Sequence, residues 1–142
     1  GCASTSGVEP ARTPIAGGVA AVAAAEPTPE VAAPAAPGSA SFTAVQADRG
    51  RDSFRGNCTE CHYSSEFSDA EFKFKWSKRS AGNLYALIQT SMPESAPGSL
   101  SPEEAVQLVA YILRMNGFEA GSSELLPERA VLDAISLASI RD

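Results

Sequence analysis

The stretch Gly50-Arg51-Asp52-Ser53-Phe54-Arg55-Gly56-Asn57-Cys58-Thr59-Glu60-Cys61-His62 decides how this chain is read. Its last five residues place two thiols three positions apart, with an imidazole directly after the second. On one helical turn the thiols reach the two vinyl groups of a porphyrin, and the imidazole points at the iron. Cys-x-x-Cys-His is therefore the signature of c-type haem attachment, with Cys58 and Cys61 as the covalent anchors and His62 as an axial ligand. Paired cysteines also occur as redox dithiols and as halves of zinc sites. Zinc needs two further Cys or His ligands, but the chain has one histidine and its third cysteine is the distant Cys2. A thioredoxin-like dithiol needs a βαβ setting, and no strand pattern is present.

An iron held by His62 has a second axial position to fill. The methionines are Met92 and Met115. Met115 ends an apolar helical stripe and reads as packing. Met92 precedes Pro93 in a loop about thirty residues after His62, where it can cross the other porphyrin face and offer its thioether; the plainer reading is a gap-filling side chain. His/Met ligation raises the reduction potential relative to two imidazoles and fills both axial positions. The other nitrogen of His62 should bond a carbonyl, with the acceptor expected between residues 66 and 76.

Outward from the motif, the pattern is helical throughout and the fold class is all-α. Residues 43–57 read as a first helix, with Asp48 and Asp52 near its start to suit the dipole. Residues 63–80 read as irregular, ending in the aromatic group Phe67, Phe72, Phe74 and Trp76. A short helix follows over 81–90, with Leu84, Leu87 and Ile88 on one face. Pro93, Pro97 and Gly98 interrupt 91–100. Ser101 as N-cap, Pro102 at N1 and Glu103-Glu104 in the first turn open the next helix, which carries Val106, Val109, Ala110 and Leu113 to Asn116-Gly117. Gly121–Ser123 make a turn. A last helix is expected from Pro127 to about Ser139, with Val131, Leu132, Ile135 and Leu137 or Ala138 inward.

Residues 3–42 are rich in Ala, Pro, Gly, Ser and Thr, with one aromatic, Phe42, at their end; such a stretch cannot bury enough apolar surface to offset its chain entropy. The domains expected are therefore an anchor and tether over 1–42, a haem domain over 43–121 and a C-terminal helical extension over 122–142, packed on the domain or on a partner. The net charge is −6. Residues 1–42 hold three acids and one base, which leaves −4 on the remainder, a balance that does not suit nucleic acid. Lys73, Lys75, Lys78 and Arg79 form a local basic run, readable as a solvated face, a docking patch or a propionate-binding edge.

Residues 47–118 resemble class I cytochrome c. The matching pieces are Gly50-x-x-x-Phe54-x-x-x-Cys58-x-x-Cys61-His62, Met92-Pro93 and the helix Ala105 to Gly117. Trp76, Ser91-Met92-Pro93, Pro97-Gly98-Ser99-Leu100 and Val109-Ala110-Tyr111-Ile112-Leu113-x-x-Asn116-Gly117-Phe118 look like a bacterial subgroup found alone or joined to quinoprotein dehydrogenases and respiratory complexes. The resemblance implies the class I fold around one covalent haem c. It implies that Gly50 allows the first and last helices of that fold to cross, with Phe54 packed near Tyr111. It also implies that Trp76 and Arg79 meet a haem propionate, although simple packing of Trp76 is an equal reading. Two departures stand out: Tyr63 replaces the frequent Gly after the haem histidine, and the proline whose carbonyl often receives the imidazole proton is missing between His62 and Met92.

Gly1-Cys2-Ala3-Ser4 is similar to a bacterial lipobox, in which Cys2 would receive lipid; an ordinary thiol is the other reading. Forty residues could reach on the order of 120 Å when extended, and several acyl chains would hold such a tether stably. No apolar run approaches the ~20 residues of a membrane span. Haem attachment and lipidation both point to the periplasmic side of a bacterial membrane. The function expected is one-electron transfer, not enzyme catalysis. The donor expected is a quinol-oxidising complex or a dehydrogenase, and the acceptor a terminal oxidase or reaction centre. Alternatives are a fixed haem relay inside a larger respiratory or photosynthetic membrane complex, and a haem enzyme or gas sensor with an open sixth site.

Overall fold

The computed structural model describes residues 41–141. Cys2 and the tether up to residue 40 lie outside the described residues.

The described residues are helical, and their one β-type contact is an isolated bridge between Ser80 and Ser136. Two fourteen-residue helices form the frame, α1 (Ala44–Asn57) and α4 (Pro102–Met115). Thr43 caps α1 by accepting a hydrogen bond from the Gln46 amide at 3.0 Å. Ser101 caps α4 in a reciprocal box with Glu104, and Pro102 stands in its first turn, so the start signal in the sequence acts as such. The buried stripe of α4 runs through Val106, Val109, Ala110 and Leu113. Asn116 and Gly117 end it, with Gly117 at φ +87°, a conformation that suits glycine.

Gly50 is where α1 meets α4. A Cβ there would overlap the carbonyl group of Gln107 and stand 3.0 Å from Tyr111 Cβ. Beside this crossing the Phe54 and Tyr111 rings lie 5.8 Å apart.

Asp48 and Asp52 do not serve the α1 dipole, because the first turn of α1 holds no acid. Asp48 instead accepts from Arg114 of α4 at 3.0 Å, and Asp52 pairs with Arg51 at 3.3 Å. Residues 63–80 are not irregular. They hold a 3-10 turn (Ser64–Phe67) and α2 (Ala70–Trp76). Asp69 caps α2 by accepting from the Phe72 amide at 2.8 Å, a signal lost among neighbouring Ser and Asp residues. Phe72 and Trp76, four positions apart, are its buried face, while Phe74 points outward.

After α3 (Ala81–Ser91) and α4, the last expected helix is cut short to α5 (Arg129–Asp133), followed by a 3-10 turn (Ala138–Arg141). The reason is a competing set of backbone bonds. Ile135 accepts from the Ala81 amide at 2.9 Å, and the Leu137 amide donates to Arg79 at 3.0 Å, so the chain leaves helical geometry to pair with the α2–α3 junction. Leu132, Ile135, Leu137 and Ile140 are buried there, but Val131 and Ala138 are exposed.

Phe42, grouped by composition with the tether, is fully buried, and its carbonyl accepts from the Gly121 amide at 2.8 Å. Four residues on, buried Gln46 donates to the Leu125 carbonyl and accepts from the Leu125 amide, both at 2.8 Å. Replacing Gln46 by Ala would leave two buried backbone groups unpaired, at about 1–3 kcal/mol each. Gln46→Ala is therefore expected to lower stability by about 2–4 kcal/mol in urea denaturation followed by circular dichroism.

Candidate haem-binding site

The C-terminal end of α1 runs directly into the haem motif. The Cys58 amide bonds back to Phe54 at 2.9 Å, and the Cys58 carbonyl accepts from Cys61 at 3.1 Å and from His62 at 2.9 Å. These bonds form the turn that sets two thiols and an imidazole on one side. Burial pushes the Cys58 thiol above its usual range.

Cys58, Cys61, His62, Met92 and Trp76 line one cavity of about 580 Å³. That volume falls within the ~300–1,000 Å³ usual for ligand and cofactor sites. Its floor is apolar: Leu84 and Ile88 from α3, Leu100 from the loop, Leu108 and Ile112 from α4. One wall is a chain of aromatic rings. Phe54 meets Phe67 edge-on at 5.5 Å, Phe67 meets His62 at 5.4 Å and Phe72 at 5.9 Å, and Phe72 stacks on Trp76 at 5.9 Å. Met92 is the half-buried C-cap of α3, its amide bonded to Ile88 at 3.1 Å, and it joins Pro93 through a cis peptide bond.

Arg79 is not among the residues lining the cavity. Its guanidinium lies 5.2 Å over the Trp76 ring, and the basic side chain at the cavity is Lys75. Trp76 is buried and serves both as cavity wall and as core.

The hydrogen-bond partner of His62 is a carboxylate where a carbonyl was expected. His62 Nδ1 lies 3.2 Å from Glu66 Oε2, and Glu66 Oε1 accepts from the Tyr63 amide at 3.3 Å. The spacing of four between His62 and Glu66 was the available signal. Asn116, read from the sequence only as a helix end and a piece of the resemblance, donates its side-chain amide to the Phe67 carbonyl at 2.7 Å and to Ile112 at 2.9 Å. It ties the 3-10 turn after the haem motif to the end of α4.

The cavity's donor set fits a haem: two thiols, one imidazole and one thioether around an apolar slot. It does not fit zinc, since no group of three or more His, Cys, Asp or Glu among the described residues could hold a metal ion. Residues 45–112 match the family described as "Cytochrome C oxidase, cbb3-type, subunit III". The match supports reading this stretch as a monohaem cytochrome c domain. The matched span begins in α1, takes in the haem motif and Met92, and ends within α4, so it covers the cavity and both helices that cross beside it. No curated protein and no solved structure gives a significant match. The all-α architecture is that of the cytochrome c fold. A cytochrome c domain carries covalently bound haem c and supports haem-based electron transfer.

Proposed function

We propose that the cytochrome domain is a one-electron carrier with a single haem c, held through Cys58 and Cys61 and ligated by His62 and Met92. The observation that carries this reading is that both cysteines, the histidine and Met92 line one apolar cavity. When bound, haem supplies a ferric/ferrous couple that takes up and returns one electron. The protein's part is to hold that couple still and dry. Because Glu66 engages Nδ1 of His62, Nε2 is the nitrogen left to face the iron. Met92 brings a soft thioether that favours the ferrous form. Leu84, Ile88, Leu108 and Ile112 exclude water, which keeps reorganisation small when the charge changes.

The matched family's description names a subunit of a respiratory oxidase, which supports a place in a respiratory electron-transfer chain. A fixed relay within a membrane complex is the second reading, and rests on that same description. The site itself we place on the periplasmic side of a bacterial membrane, tethered through lipid on Cys2. Co-purification of the chain with an oxidase complex after mild detergent extraction supports the relay; recovery of the chain alone supports a mobile carrier.

The ligand assignment is tested by Met92→Ala. The intact ferric protein is expected to show the weak red absorption band that reports iron–sulfur bonding, and the ferrous protein to exclude carbon monoxide. Met92→Ala should abolish the band, lower the reduction potential in a redox titration and admit carbon monoxide. Ready binding of carbon monoxide by the unmodified ferrous protein would instead mark an open sixth site, and catalysis or gas sensing would become the better account.

A further inference from the structure

The turn that carries His62 also carries the group that can tune it. Glu66 stands one helical turn after His62, in the 3-10 segment Ser64–Phe67, and both of its carboxylate oxygens are engaged. Oε2 faces His62 Nδ1 at 3.2 Å and Oε1 accepts from the Tyr63 amide at 3.3 Å. The carboxylate is thus held from two sides by the backbone and ring of its own turn. The turn itself is fixed from outside, because the Phe67 carbonyl next to Glu66 accepts from Asn116 of the α4 terminus. The Phe67 ring meets the imidazole edge-on at 5.4 Å, which limits rotation of His62 away from Glu66. There is no proline between His62 and Met92 to present a carbonyl in this place.

We infer that Glu66 is a positioning residue for the haem iron, acting through His62: its carboxylate fixes the Nδ1–H tautomer and makes the imidazole a stronger electron donor than a carbonyl partner would. The inference rests on His62 being an iron ligand. A ligating histidine commonly donates its second ring N–H to an outer partner that sets ring orientation and ligand basicity. Charge-assisted hydrogen bonds are roughly twice as strong as neutral ones. A more basic imidazole stabilises the ferric over the ferrous iron, so Glu66 holds the reduction potential down. Met92 acts in the opposite direction, and the pair sets the working potential between them.

The test compares Glu66→Gln and Glu66→Ala with Glu94→Gln in the haem-loaded full chain. Glu94 is another carboxylate lining the cavity, so its neutralisation removes an equal charge without touching His62. Two quantities are read: the reduction potential, and solvent exchange of the His62 ring N–H in the diamagnetic ferrous protein by NMR. Glu66→Gln is expected to raise the potential by more than Glu94→Gln does. Glu66→Ala should also speed ring N–H exchange on the order of tenfold or more, as expected for loss of a charged hydrogen bond. Equal potential shifts from the Glu66 and Glu94 variants, with unchanged exchange, would overturn the role of Glu66 while leaving the ligand assignment intact. His62 ring resonances without a haem-induced shift in the unmodified protein would remove the ligand assignment itself, and this inference with it.

Discussion

Gly50→Ala is expected to be the most damaging single substitution among the glycines of the described residues. The added methyl would meet backbone: it overlaps the Gln107 carbonyl oxygen and stands 2.6 Å from the carbonyl carbon. A flexible side chain could swing away, but a mid-helix carbonyl of α4 cannot. Accommodating the methyl means forcing α1 and α4 apart along their crossing and losing contacts around Phe54 and Tyr111. Overpacking of a tight core costs about 1–3 kcal/mol even where side chains can adjust, so a loss of about 3 kcal/mol or more is expected here. Six residues along the same helix, Gly56 has nothing within 4 Å of a built Cβ. There alanine should be neutral or stabilising by about 0.5–1 kcal/mol, because glycine inside a helix costs more backbone entropy. Thermal unfolding of the two haem-loaded variants checks both signs. A mild Gly50→Ala would mean that the helices do not cross where the structure places them.

The second large effect concerns the cysteines. Replacing Cys58 and Cys61 together by Ala is expected to abolish covalent haem and to remove the cooperative thermal transition seen by circular dichroism. The physical reason lies in the cavity. Its floor and aromatic wall are core residues, among them Phe54, Trp76 and Leu108. An apolar slot of about 580 Å³ without its filling loses dispersion contacts on every lining side chain. The α1–α4 pair would still pack together, so residual helicity is expected while the α2–α3 region, and the C-terminal segment that lies against it, loosen. A variant that melts at the temperature of the haem-loaded protein would show that the fold does not depend on the group.

The sequence makes legible those features that rest on local chemistry. The haem motif states its own spacing. Ser101-Pro102-Glu103-Glu104 announces α4 because capping is a matter of adjacent residues, whereas the close crossing at Gly50 comes from the family resemblance. What stays hidden depends on contacts distant in the chain. α2 is seven residues long, too short for a periodic stripe, and its burial comes from stacking of Phe72 on Trp76 and from the C-terminal segment lying against it. The last helix reads as thirteen residues from its apolar spacing, yet the backbone of Ile135 and Leu137 finds better partners at Ala81 and Arg79. Phe42 looks like the end of a tether by composition, but burial makes it core. Within the site, the thiols, imidazole and thioether are visible as residue types. Glu66 is hidden among exposed acids, since only the turn Ser64–Phe67 brings its carboxylate back to His62. Arg79 shows the reverse case: basic and well placed in sequence, its guanidinium lies over the Trp76 ring, while Lys75 is the basic residue that lines the cavity.

The most direct test of the central claim is whether haem stays on the chain when the fold is destroyed. The purified protein is denatured and extracted with acidified organic solvent, the haem of both fractions is measured, and the free thiols of the chain are titrated. Haem remaining with the protein, with Cys58 and Cys61 unreactive and an alkaline pyridine spectrum of a porphyrin lacking both vinyl groups, is the predicted result. Haem passing into the solvent with both thiols reactive would contradict covalent attachment, and with it the account given for this cavity.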